Sequence, residues 1–221
     1  MPLKAMLFDL DGTITRPRLD FPAIKREIGI SANSFILEEL EKMSPAARRR
    51  AMAIVERHEE EAARKSELND GARELLDALA RRGVATAVVT RNSLASVKLV
   101  LERHGLRFTT AVCREQAAPK PSPAGIVLAL ARLNVPPAQA IYVGDHAIDI
   151  NAGRAGGVRT IWVTNGRQPA SPATVLLCEA ALRCEARAGR PAGDFDPAPE
   201  ADFVVAGLRE IIALLDALEA S

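Results

Sequence analysis

A parallel α/β sheet covered by helices on both faces, with a small helical cap inserted after the first strand, is the fold class this sequence predicts. Three observations carry the prediction. Short apolar runs rich in β-formers recur at residues 3–9, 84–90, 108–112, 140–144, 159–163 and 202–205. Segments with helical spacing lie between most of them, and that alternation is the pattern of a parallel sheet. One stretch, residues 15 to about 67, has no convincing strand and interrupts the alternation straight after the first run.

Taken in order, Leu3-Lys4-Ala5-Met6-Leu7-Phe8 reads as a buried strand. The interrupting block holds helical stretches at 21–29, 34–43 and 45–66. An insertion at this point cannot join the core sheet without displacing Asp9, so it reads as a lid above the carboxyl ends of the strands. Residues 70–82 carry Leu75, Leu76 and Leu79 at helical spacing and stop at Gly83. Residues 93–104 end the same way before Gly105. Residues 123–133 place Ile126, Leu130 and Leu133 on one face, and 207–219 place Leu208, Ile211, Ile212, Leu215 and Leu218 on one stripe. A second departure, about 167–201, opens on Gln168-Pro169-Ala170-Ser171-Pro172 and reads as a surface insertion. The expected organisation is a core of residues 1–14 and 68–221 with a cap of residues 15–67.

Composition narrows the functions. The chain has 221 residues, 48% of them apolar, which is enough for one packed core and a modest second module. The formal net charge is +1 with no long single-sign block, and aromatics are 4%. Neither a basic face nor a stacking platform for nucleic acid is expected. Arg48-Arg49-Arg50 and the following Glu56, Glu59, Glu60 and Glu61 read as a solvated helix face. His58 and His104 read as surface residues of helices. Cys113, Cys178 and Cys184 lack metal-type spacing and read as reduced thiols. No apolar stretch reaches the length of about 18 residues that a membrane span needs. Met1-Pro2-Leu3-Lys4 runs straight into the first strand, so a cytoplasmic protein without a signal peptide is expected.

The chemistry is concentrated in Asp9-Leu10-Asp11-Gly12-Thr13. Two carboxylates stand at the carboxyl end of a strand, where open α/β sheets bind ligands, and Gly12 lets the chain turn behind them. Alone, this run is also a turn closed by Asp-Gly. Three further pieces follow in order: Thr90-Arg91-Asn92 after a strand, Lys120-Pro121 before a helix opened by Ser122-Pro123, and Gly144-Asp145 with Asp149 four residues on. Together they resemble the four motifs of the haloacid dehalogenase superfamily of phosphohydrolases, over residues 3 to about 166.

The resemblance implies a Rossmann-like core with a C1-type cap and a phosphatase that works through an aspartyl-phosphate. Asp9 would be the nucleophile, ionised at neutral pH at its ordinary pKa of about 3.9. Asp11 would protonate the leaving alkoxide and then activate water. Thr90, with Gly12, Arg91 and Asn92, would hold the phosphate, Arg91 and Asn92 lying at a helix start suited to an anion. Lys120 would neutralise the phosphoryl group and the nucleophile. Mg²⁺ would sit on Asp9, Asp145 and the backbone carbonyl of Asp11, with Asp149 supporting from behind through Lys120 or a metal-bound water. His146 beside Asp145 reads as covering the pocket edge rather than as a ligand. Arg16, Arg18 and Arg64 are candidates to meet a substrate carboxylate. The expected substrate is a small phosphorylated metabolite. Residues Gly144 to Gly157 look most like those of phosphoglycolate phosphatases. The rival readings are a phosphomutase of the same superfamily and a non-enzymatic phospho-receiver or scaffold. Monomer and homodimer are both compatible with the sequence.

Overall fold

The computed structural model describes residues 2–166 and 200–220. Most of the 167–201 insertion, with Cys178 and Cys184, lies outside the described residues. Six strands form one parallel sheet: β1 (Ala5–Phe8), β2 (Ala85–Val89), β3 (Thr110–Val112), β4 (Ala140–Gly144), β5 (Arg159–Val163) and β6 (Phe203–Val205), in the order β3-β2-β1-β4-β5-β6. The order reverses between β1 and β4. A crevice opens there beyond the carboxyl ends, and the first and fourth motifs end on its two sides.

The two-residue period of the strands divides the core into two layers. Met6 and Phe8 of β1, Val88 of β2, and Ile141 and Val143 of β4 face one side. There they meet α4 (Ala72–Arg81), α5 (Leu94–His104) and α8 (Leu208–Ala220) through Leu75, Leu79, Val97, Val100, Leu208 and Ile211. Ala5, Leu7, Ala87, Val89, Ala140 and Tyr142 face the other side, against α6 (Ala124–Leu133) and α7 (Ala147–Ala155). Gly71 starts α4 at φ +86°, and a Cβ there would lie 2.8 Å from the Arg209 backbone nitrogen. Glycine therefore sets how closely α4 and α8 pack.

Between β1 and α4 the chain forms α1 (Phe21–Ile28), α2 (Ile36–Glu41) and α3 (Pro45–Arg64). Asp20 caps α1 and Ser44 caps α3, each followed by a proline in the first turn. Ile24, Ile36, Leu40, Ala51 and Val55 form a small apolar cluster of their own. The sequence expectation for α2 starts two residues early, because Phe35 is extended at ψ 132°. The block is tied to the core by an isolated bridge between Thr15 and Leu68 and by two backbone bonds of 2.9 Å, Arg16 N–H to Glu67 and Asn69 N–H to Ile14. Among the described residues, no helix is long and apolar enough to cross a membrane.

Candidate active site

Asp9 stands one residue past β1 and is buried. Its backbone N–H donates to the Val143 carbonyl at 2.9 Å, so the strand ladder fixes it. Asp145 stands one residue past β4, on the neighbouring strand. Gly12 turns at φ +89°, and a Cβ there would collide with the Asp145 carboxylate. The glycine that permits the turn also makes room for the second acid. Asn69 Nδ2 donates to the carbonyls of Gly12, Thr13 and Thr15 at 3.0, 2.8 and 3.2 Å, and Asn165 Nδ2 donates to Gly12 at 2.6 Å. These two asparagines hold the loop in shape. Sequence reasoning missed both, because an isolated Asn carries no signal of the carbonyls it will meet.

Lys120 is buried, and its ammonium donates to Asp9 Oδ1 at 2.5 Å, Asp149 Oδ1 at 2.5 Å, Tyr142 Oη at 2.9 Å and the Val89 carbonyl at 3.2 Å. Burial alone pulls its pKa down, but Asp149 and Asp9 hold it well above the usual lysine value, so it stays charged. Asp9 is not the carboxylate of ordinary pKa expected from the sequence: burial pushes it well above the usual carboxylate range, Lys120 pulls against that, and Asp149 and Asp145 add to it. Burial keeps Tyr142 a neutral phenol. Tyr142 is a further residue the sequence did not single out. It reads as a core position on β4, and only the packing of α7 and β2 brings its hydroxyl to Lys120.

Asp149 has a second task. It is the third residue of α7, and its Oδ2 accepts the His146 N–H at 3.1 Å while His146 Nδ1 accepts the Ile148 N–H at 3.3 Å. The pair is a capping box, a signal present in the sequence as His-x-x-Asp. His146 is thus exposed as a helix cap, with Nδ1 occupied by a backbone donor.

Asp11 accepts from Thr15 Oγ1 at 3.0 Å and from Asn92 Nδ2. Burial raises its pKa, and these two hydrogen bonds oppose the rise. Thr90 is buried at the end of β2, with Oγ1 accepting the Asn92 N–H at 3.2 Å. Arg91 turns to the rim, where it pairs with Glu38 of α2.

Beyond Arg91 and Asn92, the first amides of α5 are already engaged. Ser93 N–H donates to Glu59 Oε2 at 3.1 Å, and Leu94 N–H donates to both oxygens of Glu115 at 3.2 and 3.1 Å. The anions these amides meet are the chain's own. Glu59 itself corrects the reading of a solvated face. It is 4% exposed and pairs with Arg114 Nη1 at 2.5 Å, because α3 lies against α5 rather than in solvent. His58 pairs with Glu27, and His104 Nε2 meets Ser66 Oγ at 2.9 Å beneath the insertion. Arg16, Arg18 and Arg64 are exposed and paired with Asp70, Glu67 and Glu60. Cys113 is a buried free thiol whose pKa burial pushes up to about 11.

Asp9, Asp145 and Asp149 offer oxygen atoms that all lie within 4.8 Å of one another. An all-oxygen set suits a hard divalent cation.

The family model for haloacid dehalogenase-like hydrolases matches residues 23–163. The chain belongs to that family. It is therefore a hydrolase, and its parallel sheet agrees with the α/β core expected of that family. Among relatives in the haloacid dehalogenase family, an N-acetylmuramic acid 6-phosphate phosphatase of Pseudomonas putida is 30% identical over 192 residues, covering 75% of this chain and 85% of the relative. A phosphoglycolate phosphatase of Xanthomonas campestris is 28% identical over 182 residues, covering 72% and 81%. These names agree with the expectation of a phosphoric monoester hydrolase. CbbY from Rhodobacter sphaeroides, solved in complex with phosphate, shares the fold at TM-score 0.66 over 97% of this chain and 99% of its own, at 21% identity.

Proposed function

We propose that the protein is a Mg²⁺-dependent phosphatase of small phosphorylated metabolites, of the phosphoglycolate phosphatase-like kind, acting through an aspartyl-phosphate on Asp9. The observation that carries this reading is Lys120 at 2.5 Å from Asp9 Oδ1, with Asp145 on the adjoining strand end and Asp11, whose pKa burial raises, two residues on. A fixed ammonium beside a carboxylate serves an incoming anion, since the nucleophile and a phosphate would otherwise repel each other.

Mg²⁺ would be held by Asp9, Asp145 and the Asp11 carbonyl and would neutralise charge on the phosphoryl oxygens. Asp9 attacks phosphorus as the bond to the leaving oxygen breaks. Asp11 gives its proton to that oxygen, so the alcohol leaves neutral. Asp11, now ionised, takes a proton from water as the water oxygen attacks the aspartyl-phosphate, and this returns Asp9 and inorganic phosphate. Burial gives Asp11 the higher proton affinity that the first step needs. Thr90, Asn92, Gly12 and Lys120 position the phosphate. Asp149 holds Lys120 in place.

Residues 15–67 are the cap in this reading. The Thr15–Leu68 bridge sits where it would hinge, and α2 reaches Arg91 at the rim of the site. Closure would exclude bulk water and present the non-phosphate part of the substrate to the cap. The test is turnover of p-nitrophenyl phosphate with and without Mg²⁺. Turnover lost on chelation and restored by Mg²⁺ is expected. Persistent inactivity toward phosphomonoesters, or activity indifferent to chelation, overturns the reading.

A further inference from the structure

Both guanidiniums at the rim of the site are already matched to carboxylates of the helical insertion. Arg91 stands between Thr90 and Asn92, and its Nη1 donates to the Lys120 carbonyl at 3.1 Å. Its Nη2 meets both oxygens of Glu38, at 2.9 and 2.7 Å. The Phe35 ring covers the guanidinium at 5.6 Å. Arg114 donates to the Arg91 carbonyl at 3.4 Å and to Glu59 at 2.5 Å, and its Nη2 lies 3.8 Å from Glu56. Arg91 and Arg114 thus meet three carboxylates, Glu38, Glu56 and Glu59, of which Glu59 is buried and Glu38 stands at the rim. The Lys120 ammonium is committed to Asp9 and Asp149. The arginines that the sequence offered for a substrate carboxylate, Arg16, Arg18 and Arg64, are exposed and paired with Asp70, Glu67 and Glu60.

From this arrangement we propose that Glu38, clamped on Arg91, makes the rim an anion filter. The site takes phosphomonoesters whose leaving group carries no second negative charge and turns away those with a carboxylate beside the phosphate. Such a carboxylate must either break the two-bond pair, which strands Glu38 as an unpaired half-buried anion, or lie beside the Glu38 carboxylate and be repelled by it. A neutral hydroxyl can accept from Arg91 with the pair intact. Selectivity is then achieved by penalising the wrong ligand. Glu38 is a positioning residue, since it acts by occupying Arg91. The inference rests on the phosphatase reading and narrows its substrate class. It also means that likeness to phosphoglycolate phosphatases does not extend to their substrate.

The test compares 2-hydroxyethyl phosphate with 2-phosphoglycolate, which differ by a hydroxymethyl group in place of a carboxylate. The wild type should favour the neutral ester in kcat/KM by about tenfold or more. Glu38→Gln should shrink that preference by about tenfold through a rise for phosphoglycolate, with the neutral ester and p-nitrophenyl phosphate held within about threefold. Raised salt should weaken the wild-type preference and leave the variant's unchanged. A wild type that favours phosphoglycolate, or a ratio that Glu38→Gln leaves unmoved, overturns the filter. If p-nitrophenyl phosphate is still hydrolysed in that case, the phosphatase reading stands without it. Inactivity toward all three esters removes both.

Discussion

Asp9 and Asp11 share a loop, yet their surroundings differ. Asp9 is bonded to an ammonium and lies near two other carboxylates, whereas the side chains bonded to Asp11 are the neutral Thr15 and Asn92, with Lys120 acting on it only from a distance. Asp9→Asn keeps nearly the same shape and removes the nucleophile. Turnover should fall by about a thousandfold or more while the far-UV circular dichroism and melting curve stay near wild type. Activity within a few-fold of wild type would exclude Asp9 from that role. Asn92→Ala removes a donor that favours ionised Asp11, so the pKa of Asp11 should rise further. Asp11 must be protonated to release the alcohol. The alkaline limb of the kcat/KM profile should therefore move up by about half to one pH unit for an alkyl phosphate. A limb that stays put, or moves down, would mean that another group supplies the proton.

At the scale of elements, α3 is bound to the core more firmly than a freely hinged lid would be. Ala63 near its end packs with the main apolar layer, and Glu59 sits buried on Arg114 and the Ser93 amide. Glu59→Gln leaves Arg114 without its buried partner and should cost about 3–5 kcal/mol in urea denaturation. Glu59→Leu combined with Arg114→Met removes both charges and should regain most of that loss. If the single change is neutral, the pair does not fasten the helix. Replacing residues 16–66 with a Gly/Ser linker should lower the melting temperature, because it uncovers α5 and Arg114. The folded fraction should keep p-nitrophenyl phosphate turnover, while discrimination among metabolites collapses. Full metabolite preference in that variant would show that the cap does not select the substrate.

For the whole molecule, the sheet order brings the ends of β1 and β4 side by side and so concentrates like charge at one rim. A divalent cation that binds only the folded state should therefore stabilise it. Mg²⁺ at about 100 times its Kd should add about 2.7 kcal/mol, read as an upward shift of the melting temperature. Asp145→Asn should abolish that shift, whereas a shift that survives the substitution would place the cation elsewhere.

The sequence by itself determined the parallel α/β class and the position of the helical insertion, and it singled out Asp9, Asp11, Lys120 and Asp145 as candidates, with Lys120 bonded to Asp9 and Asp145 close beside it in the folded chain. These are legible because strands, caps and motif spacings are local: period, Gly-X turns and carboxylates at strand ends depend on near neighbours in the chain. Asp149 was legible as a support but not as a helix cap, although His-x-x-Asp was there to read. Only the tertiary structure decided who pairs with whom. Tyr142 reaches Lys120 across 22 positions, Asn69 reaches Gly12 across 57, and Glu38 reaches Arg91 across 53. The physical reason is that an ion pair or a hydrogen bond is set by distance in space, and long-range distances follow from how the layers pack. Glu59 shows the difference most plainly: by composition it belongs to a charged helix face, and by packing it is a buried anchor.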